Sequence, residues 1–285
     1  MGLIESAGAY LLGKCAWLVG LAAAFFFLGR LAPCNPDMYW WRNLRAAGTD
    51  LLYWLVGPLF LLAGRVLLLV AAAWAVTLVW GDDARPWPLR ELPLWQQCAA
   101  ALLLEDALMY WVHRVFHSRL GWRFHAAHHS PEVLDWTAAA RFHPVNSVLE
   151  FALADVAVLL LGFSPAALAA LAPFNLVYSA LVHANLDWTF GPLRYVFASP
   201  VFHRWHHTAA GEGLDRNFAP TFPFLDVAFG TFYMPPGRRP ERFGNGDPGF
   251  PDGFWAQLAY PLRRRPRPDH PQPVTTGDRP ERKAA

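Results

Sequence analysis

Residues 105–130 read EDALMYWVHRVFHSRLGWRFHAAHHS, and their reading decides the fold. The first half ends an apolar run that starts near Leu94, yet it carries Asp106, Tyr110, His113 and His117. Residues three and four apart share one face of an α-helix, so these four form a polar stripe on an otherwise apolar helix. Ionisable groups within an apolar span are costly and mark function by default. After His117 the chain gives His125, His128 and His129, an HxxHH. The same pattern returns in FHRWHHT as His203, His206 and His207. Imidazoles at i and i+4 can hold one metal ion or face one dinuclear site. The adjacent pair in each HxxHH points about 100° apart on a helix, so it can reach two ions or opposite sides of one. Neutral imidazole suits zinc, copper, iron and nickel. A tetrahedral site needs only four ligands, and this set, joined by His183 in LVHANLDW, exceeds that number. The surplus argues for two ions, and spacing alone leaves their identity open.

Composition points to a membrane. The chain has 285 residues, 54% hydrophobic and only 16% charged, where a typical soluble domain is nearer a quarter charged. Its 14 Trp and 21 Phe exclude a disordered protein, and a net charge of +2 gives no argument for nucleic acid. Cys15, Cys34 and Cys98 form no CxxC pair, so neither a thiolate zinc site nor a disulfide framework is suggested. Apolar segments at 9–31, 51–80, 94–117, 147–162 and 165–184 predict an all-α integral membrane protein with about five transmembrane helices. The first segment reads as an uncleaved helix, because no positive region precedes Lys14. Arg114, Arg119 and Arg123 follow the third segment, and Arg residues recur from Arg194 onward. This bias places the histidine-bearing loops and the C-terminus on the cytoplasmic side. His270 lies in the polar, Pro-rich tail and reads as a surface residue. The expected divisions are 1–93 for N-terminal membrane helices, 94–262 for a catalytic domain and 263–285 for a disordered tail.

The motifs together resemble the fatty acid hydroxylase/sterol desaturase superfamily of integral-membrane diiron enzymes. The resemblance covers roughly Leu94–Leu262 and rests on EDALMYWVHRVFH, WRFHAAHHSPEVLDWTAAARFHP, LVHANLDWTFGPLRYVFASPVFHRWHHT and NFAPTFPFLDVAFGTF, in that order. Ala219 and Leu225 depart from the family pattern, and Ser179 stands where some relatives carry a further histidine. The resemblance implies a membrane core beneath a histidine-rich cytosolic cap. It also implies two irons held by His113, His117, His125, His128, His129, His183, His203, His206 and His207. His143, in a recurrent Arg-x-His-Pro element, is expected beside the ligands.

The activity so implied is O2-dependent hydroxylation or desaturation of an unactivated C–H bond in a lipid such as a sterol or a fatty acyl chain. Asp106 and Tyr110 are the candidates for orienting ligands or passing protons, with Asp187 and Asp226 as alternatives. No GxGxxG unit or four-cysteine cluster pattern is present, so no bound organic cofactor is expected. Electrons would come from a separate ferredoxin, cytochrome or reductase. Trp111, Phe116, Trp122, Phe124, Trp136 and Phe142 crowd the histidines and read equally as a lipid channel or an interfacial belt. A zinc-dependent membrane hydrolase, a metal transporter and a lipid-binding protein without oxidase activity are the competing readings.

Overall fold

The computed structural model describes residues 3–80, 88–209, 211 and 213–263. The polar tail from residue 264, with His270, and most of the loop before Pro88 lie outside the described residues. Within them the regular elements are all helical, joined by irregular segments, and the only bridge pairs Thr208 with Phe243. The long elements are α1 (Leu3–Leu31), α2 (Leu44–Trp80) and α3 (Leu94–Phe116). The short α4 (Trp122–His125) and α5 (Pro144–Ser147) follow. Next come a π-helical turn at Val148–Ala152, α6 (Leu153–Leu160) and α7 (Pro165–His183). Three short helices close the fold: α8 (Pro200–His206), α9 (Phe224–Ala228) and α10 (Phe254–Leu258).

Two helices among the described residues are long and apolar enough to cross a bilayer, Leu44–Ala75 and Pro165–His183, and Ala16–Leu31 is a shorter apolar helix. Five such spans are therefore not found. The third expected span does form as α3, but Glu105, Asp106, Arg114 and its histidines interrupt its apolar character. The fourth is broken into α5, the π turn and α6. α2 starts at Leu44, earlier than its apolar run predicts, and continues through Pro58. It exposes Leu59, Leu62, Leu67 and Trp74, an apolar face that no other element among the described residues covers.

The bundle holds together by close approach and by a few buried polar ties. A Cβ at Gly64 of α2 would lie 2.2 Å from Val148 Cγ2, so only glycine lets α2 settle against the π turn. Asp50 of α2 accepts from Thr137 Oγ1 at 2.8 Å and from Arg141 Nε at 2.7 Å, all three buried. An ion pair so placed fastens the 137–141 segment over the end of α2, since losing either partner strands a buried charge. Gly121 is needed for a second reason. Its Cβ would fall 2.5 Å from Phe116 Cα, so the glycine permits the chain reversal that brings α4 back beside the end of α3. Between α1, α2, α3, α6 and α7 lies a cavity of about 840 Å³. Pro58 and Pro173, each inside its helix, line it.

Candidate metal centre

Nine histidines converge where α3 and α7 end. They fall into two groups: His113, His117, His125, His129 and His206, and then His128, His183, His203 and His207. Within each group the ligand atoms all lie within 4.8 Å of one another, and every member is buried. The adjacent pairs split, the first of the two outcomes that their angular offset left open. His128 and His129 go to different groups, as do His206 and His207. The groups meet where the rings of His129 and His207 stack with centroids 4.4 Å apart.

Local chemistry brings these side chains in. α8 starts at Pro200 because Ser199 caps it, accepting from the Phe202 amide at 3.2 Å, and Pro suits the first helical position. One turn later the helix delivers His203 and His206, with His207 as its C-cap. His113 and His117 lie one turn apart at the end of α3.

The outer nitrogens of five histidines have fixed partners. His113 Nδ1 lies 2.8 Å from Phe218 O, His117 Nδ1 2.9 Å from Asp215 Oδ1, and His206 Nδ1 2.8 Å from Arg216 O. His125 Nδ1 lies 2.6 Å from Asn146 Oδ1 and His183 Nδ1 2.7 Å from Ser179 O. Each acceptor places the proton on Nδ1 and leaves the Nε2 lone pair free to ligate. Those Nε2 atoms face one another: His113–His125 at 3.1 Å, His129–His125 at 3.2 Å, His183–His203 at 3.0 Å and His183–His128 at 3.4 Å. Nitrogens bound to one ion at about 2.0–2.1 Å stand roughly 2.9–3.4 Å apart at octahedral to tetrahedral angles. His206 Nε2 is buried with no hydrogen-bond partner, as are His128 Nδ1 and His203 Nδ1. Converging lone pairs with no proton between them repel unless a cation sits among them, so the donor set fits a metal in each group. Burial lowers the pKa of His125, His128, His129, His203, His206 and His207 well below the ordinary value, and the neighbouring imidazoles add to it. They are held neutral, the form that ligates.

One short loop supplies three of the five acceptors. Asp215 and Asn217 both adopt left-handed backbone, with φ of 53° and 59°, which Asp and Asn tolerate better than most residues. The resulting turn aims the Asp215 carboxylate, the Arg216 carbonyl and the Phe218 carbonyl at His117, His206 and His113. Asp226 accepts from the amides of Phe218 and Ala219 at 2.7 and 2.9 Å and from Thr231 Oγ1 at 2.6 Å.

The other expected site residues lie around this loop or away from it. Tyr110 OH is 2.9 Å from Thr231 Oγ1. Asp106 accepts from the amides of Thr221 and Phe222 at 2.6 and 2.9 Å and lines the cavity. Neither belongs to a histidine group. Asp187 pairs with Arg239 at the surface. His143 caps α5, its Nδ1 accepting from the Val145 amide at 3.1 Å, and α5 carries Asn146. Of the six aromatic residues named above, Phe142 lines the cavity and stacks on His128 with centroids 4.2 Å apart. Trp136 is instead buried against Phe25 and Trp54, and Trp111 is exposed. Sequence reasoning missed Asn146, Asp215 and Glu150, which accepts from Asn146 Nδ2 at 2.5 Å. The HPVN stretch beside His143 was the available signal for the first.

A helical domain that gathers nine buried imidazoles at the mouth of a cavity carries two histidine groups that could each hold a metal ion. Residues 98–231 match the family model for the fatty acid hydroxylases. It is 33% identical over 183 residues to an ornithine lipid hydroxylase of Rhizobium tropici, covering 64% of this chain and 54% of the relative. It is 28% identical over 223 residues to an alkylglycerol monooxygenase of Caenorhabditis elegans, covering 76% and 40%. It is 30% identical over 149 residues to methylsterol monooxygenase 1-1 of Arabidopsis thaliana, covering 47% and 46%. The chain thus spans about half the length of the curated relatives it matches. No solved structure matches the chain.

Proposed function

We propose that the chain is a membrane-bound diiron oxygenase that hydroxylates, or desaturates, an unactivated C–H bond of a lipid. The observation that carries this reading is the continuity of site and cavity. His113, His128, His183 and His203 line the same 840 Å³ space that runs between the apolar helices. That volume suits an acyl chain or a sterol, and lining by apolar helices suits entry from the bilayer. The names of the relatives agree, since each is a lipid hydroxylase or a monooxygenase.

Two irons, one in each histidine group, would supply O2 activation and removal of hydrogen from carbon. The nine histidines hold them. Asp215, Asn146, Ser179 O, Arg216 O and Phe218 O keep the outer imidazole protons in place. Asp106 and Tyr110 act through the 215–222 loop, orienting ligands at a distance, which is the part of their expected role that their contacts favour. Hydroxylation consumes O2, two electrons and two protons and releases one water. Desaturation releases two. A separate ferredoxin, cytochrome or reductase delivers the electrons. In this reading 94–262 is the catalytic domain. The chain crosses the membrane several times, with its histidine-rich cap and C-terminus in the cytoplasm.

The test is metal analysis of the purified protein, followed by incubation with a lipid extract, a reductase system and labelled O2. Two irons per chain and label in a lipid alcohol, or an O2-dependent alkene, are expected. Zinc alone in iron-replete cells, with product formed without O2, overturns the reading in favour of a hydrolase.

A further inference from the structure

One of the contacts that order the histidines runs on to a buried carboxylate. His125 Nδ1 lies 2.6 Å from Asn146 Oδ1, and Asn146 Nδ2 donates to Glu150 Oε2 at 2.5 Å. All three residues are buried. An amide is ambivalent: its oxygen accepts, its nitrogen donates, and a half-turn exchanges the two ends. A neutral imidazole is ambivalent too, because either ring nitrogen can carry the proton. His125 and Asn146 by themselves therefore admit two arrangements. In one, His125 Nδ1 donates to Asn146 Oδ1 and His125 Nε2 keeps its lone pair. In the other, Asn146 Nδ2 donates to His125 Nδ1 and the proton sits on Nε2. That nitrogen is the one facing His113 Nε2 at 3.1 Å and His129 Nε2 at 3.2 Å, so the second arrangement blocks ligation.

A carboxylate is not ambivalent, since its oxygens only accept. Turning the Asn146 amide would set Oδ1 against Glu150 Oε2, two acceptors with no proton between them. Glu150 thereby selects the first arrangement. The local fold puts it in reach. Asn146 belongs to α5, and Glu150 follows four residues later in the π turn at Val148–Ala152. Single π turns within helices recur at functional sites. Val148, between the two in the chain, is the residue that Gly64 of α2 allows to pack so closely.

We infer that Glu150 is a positioning residue for the five-histidine group: through Asn146 it holds the proton of His125 on Nδ1 and leaves Nε2 free for the metal. The inference rests on the metal-centre reading and deepens it, because it assigns the state of one imidazole to a side chain that touches no histidine.

Variants of the full chain in detergent test it, read by cobalt(II) titration and by 15N NMR of the metal-free, histidine-labelled protein. The His125 signals are assigned by difference from His125→Gln. Glu150→Gln keeps the size of the side chain but not its direction, since the new amide can accept from Asn146 or donate to it. It should weaken the cobalt step of the five-histidine group about tenfold, the low end for loss of an outer partner, and leave the other step unchanged. His125 should then show both tautomers. Asn146→Asp sets two carboxylates together and should weaken the same step at least as far. Asn146→Asp combined with Glu150→Gln restores a one-way chain, in which the new amide donates to the new carboxylate and that carboxylate accepts from His125 Nδ1. The pair should return both the affinity and the single Nδ1 tautomer. A merely structural role gives no such rescue, because the two losses then add.

Wild-type affinity and an unmixed Nδ1 tautomer in Glu150→Gln overturn the inference, as does a double variant no better than Glu150→Gln alone. If Asn146→Asp does not fold, Glu150→Gln decides alone. A wild-type chain that takes up no metal sinks the metal-centre reading, and the tautomer of His125 in the metal-free chain still decides what Glu150 does.

Discussion

The carboxylate of Asp226 accepts the amide of Phe218 at 2.7 Å, and the carbonyl of the same Phe218 lies 2.8 Å from His113 Nδ1. A residue far along the chain from the first histidine motif thereby aims one of its imidazoles. Thr231 and Tyr110 extend the support, since Thr231 Oγ1 donates to Asp226 and lies 2.9 Å from Tyr110 OH.

Asp226→Ala should therefore weaken metal binding in the five-histidine group without touching a ligand. Losing a partner that orients ligands typically costs about 10- to 100-fold in metal affinity. Metal titration of the purified variant measures it. Wild-type affinity in a folded variant would show that the loop holds its shape without Asp226.

The two groups should load unequally. Four members of the first, His113, His117, His125 and His206, have their outer nitrogens held by protein oxygens. In the second, among the described residues, His128 Nδ1 and His203 Nδ1 have no partner, and only His183 is so held. Titration with cobalt(II), followed by its visible spectrum, should resolve a tighter and a weaker step. His206→Ala should remove the tighter step and His128→Ala the weaker one. A single step of two equivalent ions would contradict the asymmetry.

Acid should unfold the metal-free chain. Burial depresses the pKa of His125, His128, His129, His203, His206 and His207, so the unfolded chain binds more protons than the folded one below about pH 6.5. Their stabilising effect is fully present above that pH and is lost as pH falls toward the depressed folded values. Each group contributes a slope of up to about 1.4 kcal/mol per pH unit. Bound metal competes with those protons and should move the loss to lower pH. Thermal melts in detergent between pH 8 and 5, with and without chelator, read both effects. A melting temperature independent of pH in the chelated protein would refute the argument.

Gly64→Ala should loosen the seat of α2 on the π turn, because its new methyl carbon would stand 2.2 Å from Val148 Cγ2. Overpacking of this kind costs about 1–3 kcal/mol. Adding Val148→Ala should restore most of it, since the clashing methyl groups are gone. A double variant no more stable than Gly64→Ala alone would place the strain elsewhere.

Much of this protein was determined by sequence alone. Helical periodicity is local, so the stripe of Asp106, Tyr110, His113 and His117 follows from spacing within one or two turns. The type of chemistry follows from the side chains themselves, because clustered neutral imidazoles at the ends of apolar helices have few uses besides metal. Tertiary structure alone decided which histidines share a group and what orients them. The partners of His113 and His117 lie 105 and 98 residues away, and no short-range pattern encodes such pairings. The place of Asn146 between His125 and Glu150 was equally hidden. His125 lies 21 residues from Asn146, and only packing brings its ring to that amide. Span count was not legible for the same reason: inward-facing charges on α3 and the break at Val148–Ala152 are stabilised by contacts that hydropathy does not see.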